Sequence, residues 1–189
     1  MESGKFEIRP LSPELKEDYL SFFESIEFEE HPHWADCYCY SYHFTGSSEE
    51  WLRENNRSCV SRMIDEGSMK GYLAYSNGLP VGWCNVNKRL NYQLLTKSFE
   101  LLDPGHDKIC SIVCFLVHPA YRRYGMLQLL MDRIIEDYSA LDYEIIEAYP
   151  RLGELSAEKL YRGPLDLYTR NGFELVKKFE EYILVRLRL

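Results

Sequence analysis

No stretch of the chain approaches the run of about 18 apolar residues that a bilayer-spanning helix needs. The opening residues, MESGKFEIRP, carry charges where a secretory signal would need an apolar core. Both absences predict a cytoplasmic protein without a membrane partner. A basic stripe is also missing: 22 Lys and Arg are interspersed among 30 Asp and Glu, for a net charge of -8. Binding to nucleic acid needs clustered cations to neutralise phosphates, so no nucleic acid is expected as a partner. A cationic acceptor such as an amine suits the acidic field better. Repeats and low-complexity linkers are absent too, which leaves no domain boundary to place. Of the six cysteines, at 37, 39, 59, 84, 110 and 114, four lie in apolar or periodic segments rather than in a loop-rich framework. They read as reduced thiols.

What is present suits one globular unit spanning 1–189, because 46% apolar residues over 189 positions can build a real core. Residues 6–11 read as a strand, and Ser12-Pro13-Glu14 as a helix start with proline at the first helical position. Residues 26–46, crowded with His, Trp, Tyr and Cys, show no period. Residues 48–66 return to helical spacing through Leu52, Cys59, Val60, Met63 and Ile64, and Gly67 ends the run. Asn77-Gly78 between 71–75 and 80–86 signals a tight hairpin. A polar connection then ends at Asp103-Pro104-Gly105, and 109–117 is nearly continuously apolar, as a central strand covered on both faces should be. Next comes the clearest helix, with Leu127, Leu130, Met131, Ile134, Ile135 and Tyr138 on one stripe. A strand at 143–148 completes a parallel strand-helix-strand unit. A short helix at 165–171 and strands at 173–178 and 182–187 close the chain.

The informative stretch is FLVHPAYRRYGMLQLL, residues 115–130, where a buried strand turns through Arg122-Arg123-Tyr124-Gly125 into that helix. A helix N-terminus leaves about four backbone N–H groups without partners and carries roughly half a positive charge, so it can hold a pyrophosphate. Gly125 permits close approach, and the two arginines add fork-shaped donors.

These residues resemble motif A of the GNAT (GCN5-related) N-acetyltransferases, an R/Q-x-x-G-x-G/A segment after a strand ending V-x-P-x-x-R. Val117, Pro119, Arg122 and Gly125 match, while Leu127 stands where the family usually carries Gly or Ala. Further on, Leu167-Tyr168-Thr169-Arg170-Asn171-Gly172-Phe173 looks like the family's Y-x-x-x-G-F segment. The resemblance covers a signature region of about 109–173; the N-terminal part, about 12–68, matches only in its types of element. It implies a mixed α/β (α+β) fold with a mostly antiparallel central sheet, a parallel strand-helix-strand core and flanking helices. It implies transfer of an acetyl group from acetyl-CoA to a small-molecule or peptide amine by direct attack. Phe115, Leu116 and Val117 would then face the pantetheine arm. Arg122, Arg123, Tyr124, Gly125, Met126 and Leu127 would hold the pyrophosphate, and Tyr168 would act as general acid to the departing thiolate.

An amine of pKa about 10.4 is free base in only about one part in 2,500 at pH 7, roughly 4.6 kcal/mol of barrier, so a base or a water relay is expected. Glu147, at the end of its strand, is the candidate base; Asn85 and Asn87 are alternatives that would orient a water. Trp34, Tyr38, Tyr40 and Tyr42 are expected to line the acceptor pocket, since the family commonly builds it from this half of the chain. His31, His33, Cys37 and Cys39 are spaced too closely for paired zinc ligands, and no metal is expected. A cysteine nucleophile is not needed for attack by a bound amine. A non-catalytic acyl-CoA-binding sensor or regulatory module is the rival reading. An interaction protein using the aromatic segment is a third, and a homodimer is left open.

Overall fold

The computed structural model describes residues 6–26, 28, 31–100, 102–153 and 155–189. The charged start of the chain, residues 1–5, and residues 27, 29 and 30 of the aromatic segment lie outside the described residues. Strands β1 (Glu7–Pro10), β2 (Gly71–Ser76), β3 (Leu79–Lys88), β4 (Ile109–Val117), β5 (Ile145–Ala148), β6 (Glu174–Lys178) and β7 (Ile183–Arg188) form one sheet in the order β1-β2-β3-β4-β5-β7-β6. Every pairing is antiparallel except β4 with β5. Helices α1 (Lys16–Ser25), α2 (Arg53–Asp65), α3 (Gln93–Ser98), α4 (Met126–Ala140) and α5 (Leu165–Arg170) flank it. Among the described residues no helix is long and apolar enough to cross a membrane.

The period-2 rule explains how the sheet divides the core. On β2, Tyr72 and Ala74 join the cluster under α4, whereas Leu73 and Tyr75 join the cluster under α1 and α2. Covered on both faces, all six residues of β2 are buried. The hairpin to β3 turns on Asn77 and Gly78, both at positive φ (51° and 79°), which matches the right-handed twist of the strands. α4 seats Leu130, Met131 and Ile134 with no exposure. Truncating any one of them to alanine should cost about 2–5 kcal/mol.

Two expectations need correction. The helix expected over 48–66 is a 3-10 turn, Ser48–Glu50, followed by α2 from Arg53; the two are separated at Trp51. The Ser47–Glu50 capping box satisfies the first turn locally, and Leu52 stands as the N-cap of α2, exposed rather than on the apolar face. The polar connection after β3 contains α3, held in place by the buried Tyr92 and Leu95.

Two departures from regularity in β4 position the site. Its pairing with β3 shifts register so that Asn85 opposes Cys114 and Val86 opposes Ile112, leaving Val113 as the extra residue of a bulge. Its pairing with β5 ends at Ile112 opposite Ala148. Beyond that point the β5 side of β4 has no strand neighbour among the described residues. The segment that follows β5 instead returns a 3-10 turn, Lys159–Arg162, toward this edge.

Candidate functional site

The turn from β4 into α4 is shaped by backbone conformations that its residues are placed to accept. Pro119 opens a 3-10 turn, the His118 imidazole accepts from the Ala120 N–H at 3.3 Å, and Arg122 Nε donates back to the Val117 carbonyl at 3.3 Å. Arg123 (φ 68°) and Gly125 (φ 80°) then take left-handed conformations, so that the chain reverses and delivers the N-terminus of α4. The N–H groups of residues 123–127 find no backbone acceptor among the described residues; the first amides of the helix to bond are those of Gln128 and Leu129, both to the Gly125 carbonyl. A Cβ on Gly125 would meet no protein atom within 4 Å. The backbone is therefore bare where a phosphate would approach it.

These groups open onto a cleft of about 460 Å³ lined by Phe115, Leu116, Val117, Arg122, Arg123, Gly125, Met126 and Leu127 on the β4–α4 side. Tyr161, Pro164 and Arg170 face them from the later segments. Of the nine residues expected to hold the cofactor, the cleft brings together all but Tyr124, which is 46% exposed. Leu127, at the position where the resemblance expects Gly or Ala, packs against the core beside the cleft. Arg170 is a third guanidinium on the cleft, braced by Gln128 at 3.0 Å, which in turn holds Asn171. A pyrophosphate with its attached pantetheine fits this arrangement: unpaired amides, three guanidiniums and an uncovered strand edge lie along one groove.

A second cavity of about 330 Å³ lies on the other side of Leu116. Phe23, Trp34, Tyr42 and Trp51 give it an aromatic wall; His33, Cys37, Cys39, Ser41 and Cys114 supply its polar groups. No described residue that lines it carries a carboxylate. Phe28, Leu116 and Tyr161 belong to the walls of both cavities, so the two meet there.

The candidate acceptor residues separate. Trp34 and Tyr42 line the aromatic cavity. Tyr38 is buried, with its hydroxyl donating to Glu24 at 3.3 Å, and Tyr40 lines a different surface hollow with Phe44 and Cys59. The reason is the backbone. Tyr38 and Cys39 both sit at positive φ, 43° and 56°, so a turn there sends the side chains of 38, 40 and 42 to different surroundings.

The candidate proton-transfer residues lie outside both cavities. Tyr168 is fully buried, stacks edge-on against Phe173, and donates its hydroxyl to the Arg162 carbonyl at 2.6 Å; burial pushes its phenol well above the ordinary range. Glu147 is equally buried, and its carboxylate is held by Arg186 at 2.7 Å, by Arg89 at 3.3 Å and by the Tyr149 hydroxyl. Taking up a substrate proton there would leave the buried Arg89 guanidinium without its counter-ion and Arg186 with Asp103 alone. Asn85 and Asn87 are buried as well; Asn85 accepts from Tyr92 at 2.7 Å, and Asn87 donates to the Ser68 carbonyl at 3.0 Å. His33, Tyr161 and Arg170, which do line the cavities, were not among the expected site residues. Arg170 sits inside the Y-x-x-x-G-F segment and was legible there, whereas no motif marks the other two.

Comparison with solved structures finds this fold among acetyltransferases. The GNAT domain of S. lividans PAT aligns with a TM-score of 0.60 over 98% of this chain and 92% of its own, at 15% identity. The PaiA N-acetyltransferase of Thermoplasma acidophilum, solved in complex with coenzyme A, aligns with a TM-score of 0.57 over 98% and 99%, at 12% identity. An N-acetyltransferase from Staphylococcus aureus Mu50 aligns at 0.59 over 97% and 98%, at 12% identity. Among curated proteins the sequence has no significant match. The profile of the acetyltransferase (GNAT) family matches residues 13–163, and with β4 pairing β5 in parallel inside an otherwise antiparallel sheet, the chain belongs to that family.

Proposed function

We propose that this protein transfers an acetyl group from acetyl-CoA to a primary amine. The observation that carries the reading is the junction of the two cavities: the cleft of free amides and arginines runs along the open edge of β4 and meets the aromatic cavity at Leu116. Coenzyme A bound with its pyrophosphate at the start of α4 would run its pantetheine along Phe115–Val117 toward that junction. Coenzyme A in the PaiA structure supports the assignment of the ligand.

The acceptor's amine enters from the aromatic side. Aromatic walls without a described carboxylate suit an amine carried on an apolar or aromatic body better than a polyamine, whose extra charges would find no counter-ion. In this reading His33 takes the amine proton and Tyr161, common to both walls, donates toward the departing sulfur.

The test is a thermal shift with acetyl-CoA against pantetheine, followed by thioester consumption with arylalkylamines, polyamines and amino acids. Stabilisation by acetyl-CoA alone and turnover of an arylalkylamine are expected; equal stabilisation by both ligands sinks the assignment. The placement of Tyr168 and Glu147 outside the cavities favours a second reading, an acyl-CoA-binding sensor. It predicts the same thermal shift with no thioester consumption.

A further inference from the structure

The surface hollow that holds Tyr40 shares no lining residue with either cavity of the proposed site. It encloses about 410 Å³ between the turn after Tyr40, the 3-10 turn Ser48–Glu50 and the first turns of α2. Asn56 on its wall is only 1% exposed, and its Nδ2 donates to the Asp36 carbonyl at 2.9 Å. A carbonyl can only accept, so the nitrogen is fixed on that side and Oδ1 is the other end of the amide. Asp36 is not part of the hollow's wall, which leaves Oδ1 on the side of the hollow. This oxygen is buried and accepts no hydrogen bond among the described residues. At the rim stands Glu50, exposed, whose Oε2 accepts from the Ser47 N–H at 2.8 Å. The guanidiniums nearby in sequence are engaged elsewhere, Arg53 with Asp36 and Arg57 with Glu24, and no Lys or Arg lines the hollow. Tyr40 and Phe44 form an aromatic corner, their rings 5.9 Å apart and inclined at 65°. A Cβ at Gly46 would collide with both the Glu50 carboxylate and the Phe44 ring, so the glycine is what lets carboxylate and corner come together.

We infer that this hollow is a second binding site, for a primary alkylammonium ion. Its wall carries one carboxylate and no cation, so an anion is repelled and a neutral molecule leaves Glu50 without a counter-ion. An organic cation satisfies the charge and lies against the two ring faces. A quaternary ammonium would have no N–H for Asn56, whereas a primary ammonium brings three donors, enough for Oδ1 and for the Glu50 carboxylate together. Its alkyl chain then rests on Tyr40 and Phe44. The site is distinct from the acceptor cavity but only one ring away from it. Trp51, which lines that cavity, stands edge-on to Phe44 at 4.9 Å and parallel to Tyr40 at 6.3 Å. Nothing in this assignment uses coenzyme A, so it stands or falls apart from the acetyl-CoA reading.

The experiment titrates the full chain, without coenzyme A, with n-butylammonium chloride at pH 7 and constant ionic strength, and follows assigned amide and side-chain resonances by NMR. Sodium butyrate, 1-butanol and tetramethylammonium chloride are the matched probes. Saturable shifts at Thr45, Gly46, Asn55 and the Asn56 side-chain amide are expected with butylammonium, and at least tenfold weaker binding with each of the other three. Glu50→Gln keeps the capping box, which accepts glutamine as well as glutamate, so the turn survives while butylammonium affinity should fall about tenfold or more. Gly46→Ala should have a similar effect by displacing the carboxylate. Glu49→Gln removes an adjacent charge that is not on the wall and should leave the affinity within about twofold. Equal loss in the Glu49 and Glu50 variants would reduce the effect to the general acidic field and overturn the inference. Equal binding of 1-butanol, or shifts confined to Trp34, Tyr42 and Cys114 of the aromatic cavity, would overturn it too.

Discussion

Replacing Gly125 with glutamate puts a side chain into space that holds no protein atom within 4 Å of the new Cβ. The fold should therefore feel only the left-handed backbone, φ 80°, at about 1–2 kcal/mol. For a chain of this size each kcal/mol is worth about 2–4 °C in Tm. The ligand should feel far more. A carboxylate about 4 Å from a pyrophosphate charge, at the effective dielectric of a protein surface, is opposed by about 4 kcal/mol. That is about three decades in Kd. Gly125→Ala carries the same backbone strain without the charge, so the difference between the two variants isolates the electrostatic part. Calorimetric titration with acetyl-CoA, beside melting curves of the free variants, measures both quantities. Equal dissociation constants for the alanine and glutamate variants would refute the placement of the phosphates at the start of α4.

Three further outcomes follow from buried contacts. Glu147→Gln keeps the shape but leaves the buried Arg89 facing no charge and Arg186 with Asp103 alone, and urea titration should show a loss of about 3–5 kcal/mol with acetyl-CoA affinity unchanged; intact stability with lost turnover would return Glu147 to the role of base. Tyr168→Phe removes the donor to the Arg162 carbonyl and should cost about 1–3 kcal/mol. A fall in kcat of about 10²-fold at unchanged stability would instead place that hydroxyl at the thioester. Burial holds His43 at about 4 against an ordinary 6.5. The unfolded chain therefore binds the extra proton between those values, and stability should fall as pH drops from about 6.5 to 4, a slope that His43→Phe should flatten in a pH series of urea titrations.

The cofactor cleft was legible in the sequence and the acceptor cavity was not, because one is contiguous and the other is assembled. Residues 115–127 carry strand, turn and helix start in a single run, each with its own local signal. The aromatic cavity draws Phe23 from α1, Trp34 and Cys39 from the irregular segment, Trp51 from the break before α2, Cys114 from β4 and Tyr161 from the segment after β5. Only the topology brings these together, and no spacing announces it. Tyr38, Tyr40 and Tyr42, expected to share one pocket, are parted by a turn at two left-handed residues, Tyr38 and Cys39, that no glycine advertises. Glu147 was expected near substrate because its strand adjoins β4. The insertion of β7 between β5 and β6, invisible to periodicity, sets Arg186 opposite it instead.

The open edge of β4, on which both cavities depend, has a cause in the few residues after β5. Pro150 has no N–H to offer β4, and its carbonyl accepts from Ile183 at 2.9 Å. Arg151 bridges Tyr182, and Leu152 donates to the Glu181 carbonyl at 3.0 Å. The chain leaving β5 thus stays bonded to the β7 side and departs from β4 after Ala148. That divergence leaves the second half of β4 with unpaired backbone groups, which in a sheet interior would cost about 1–3 kcal/mol each unless something satisfied them. Part of the answer is the 3-10 turn at Lys159–Arg162, which lays Tyr161 over the junction; the rest is the groove itself, which an extended amide-bearing chain such as pantetheine can pair with as a strand would. The bulge at Val113 and the proline at 150 act on the same edge: the first interrupts β4 just before the residues that line both cavities, and the second keeps β5 from closing over them.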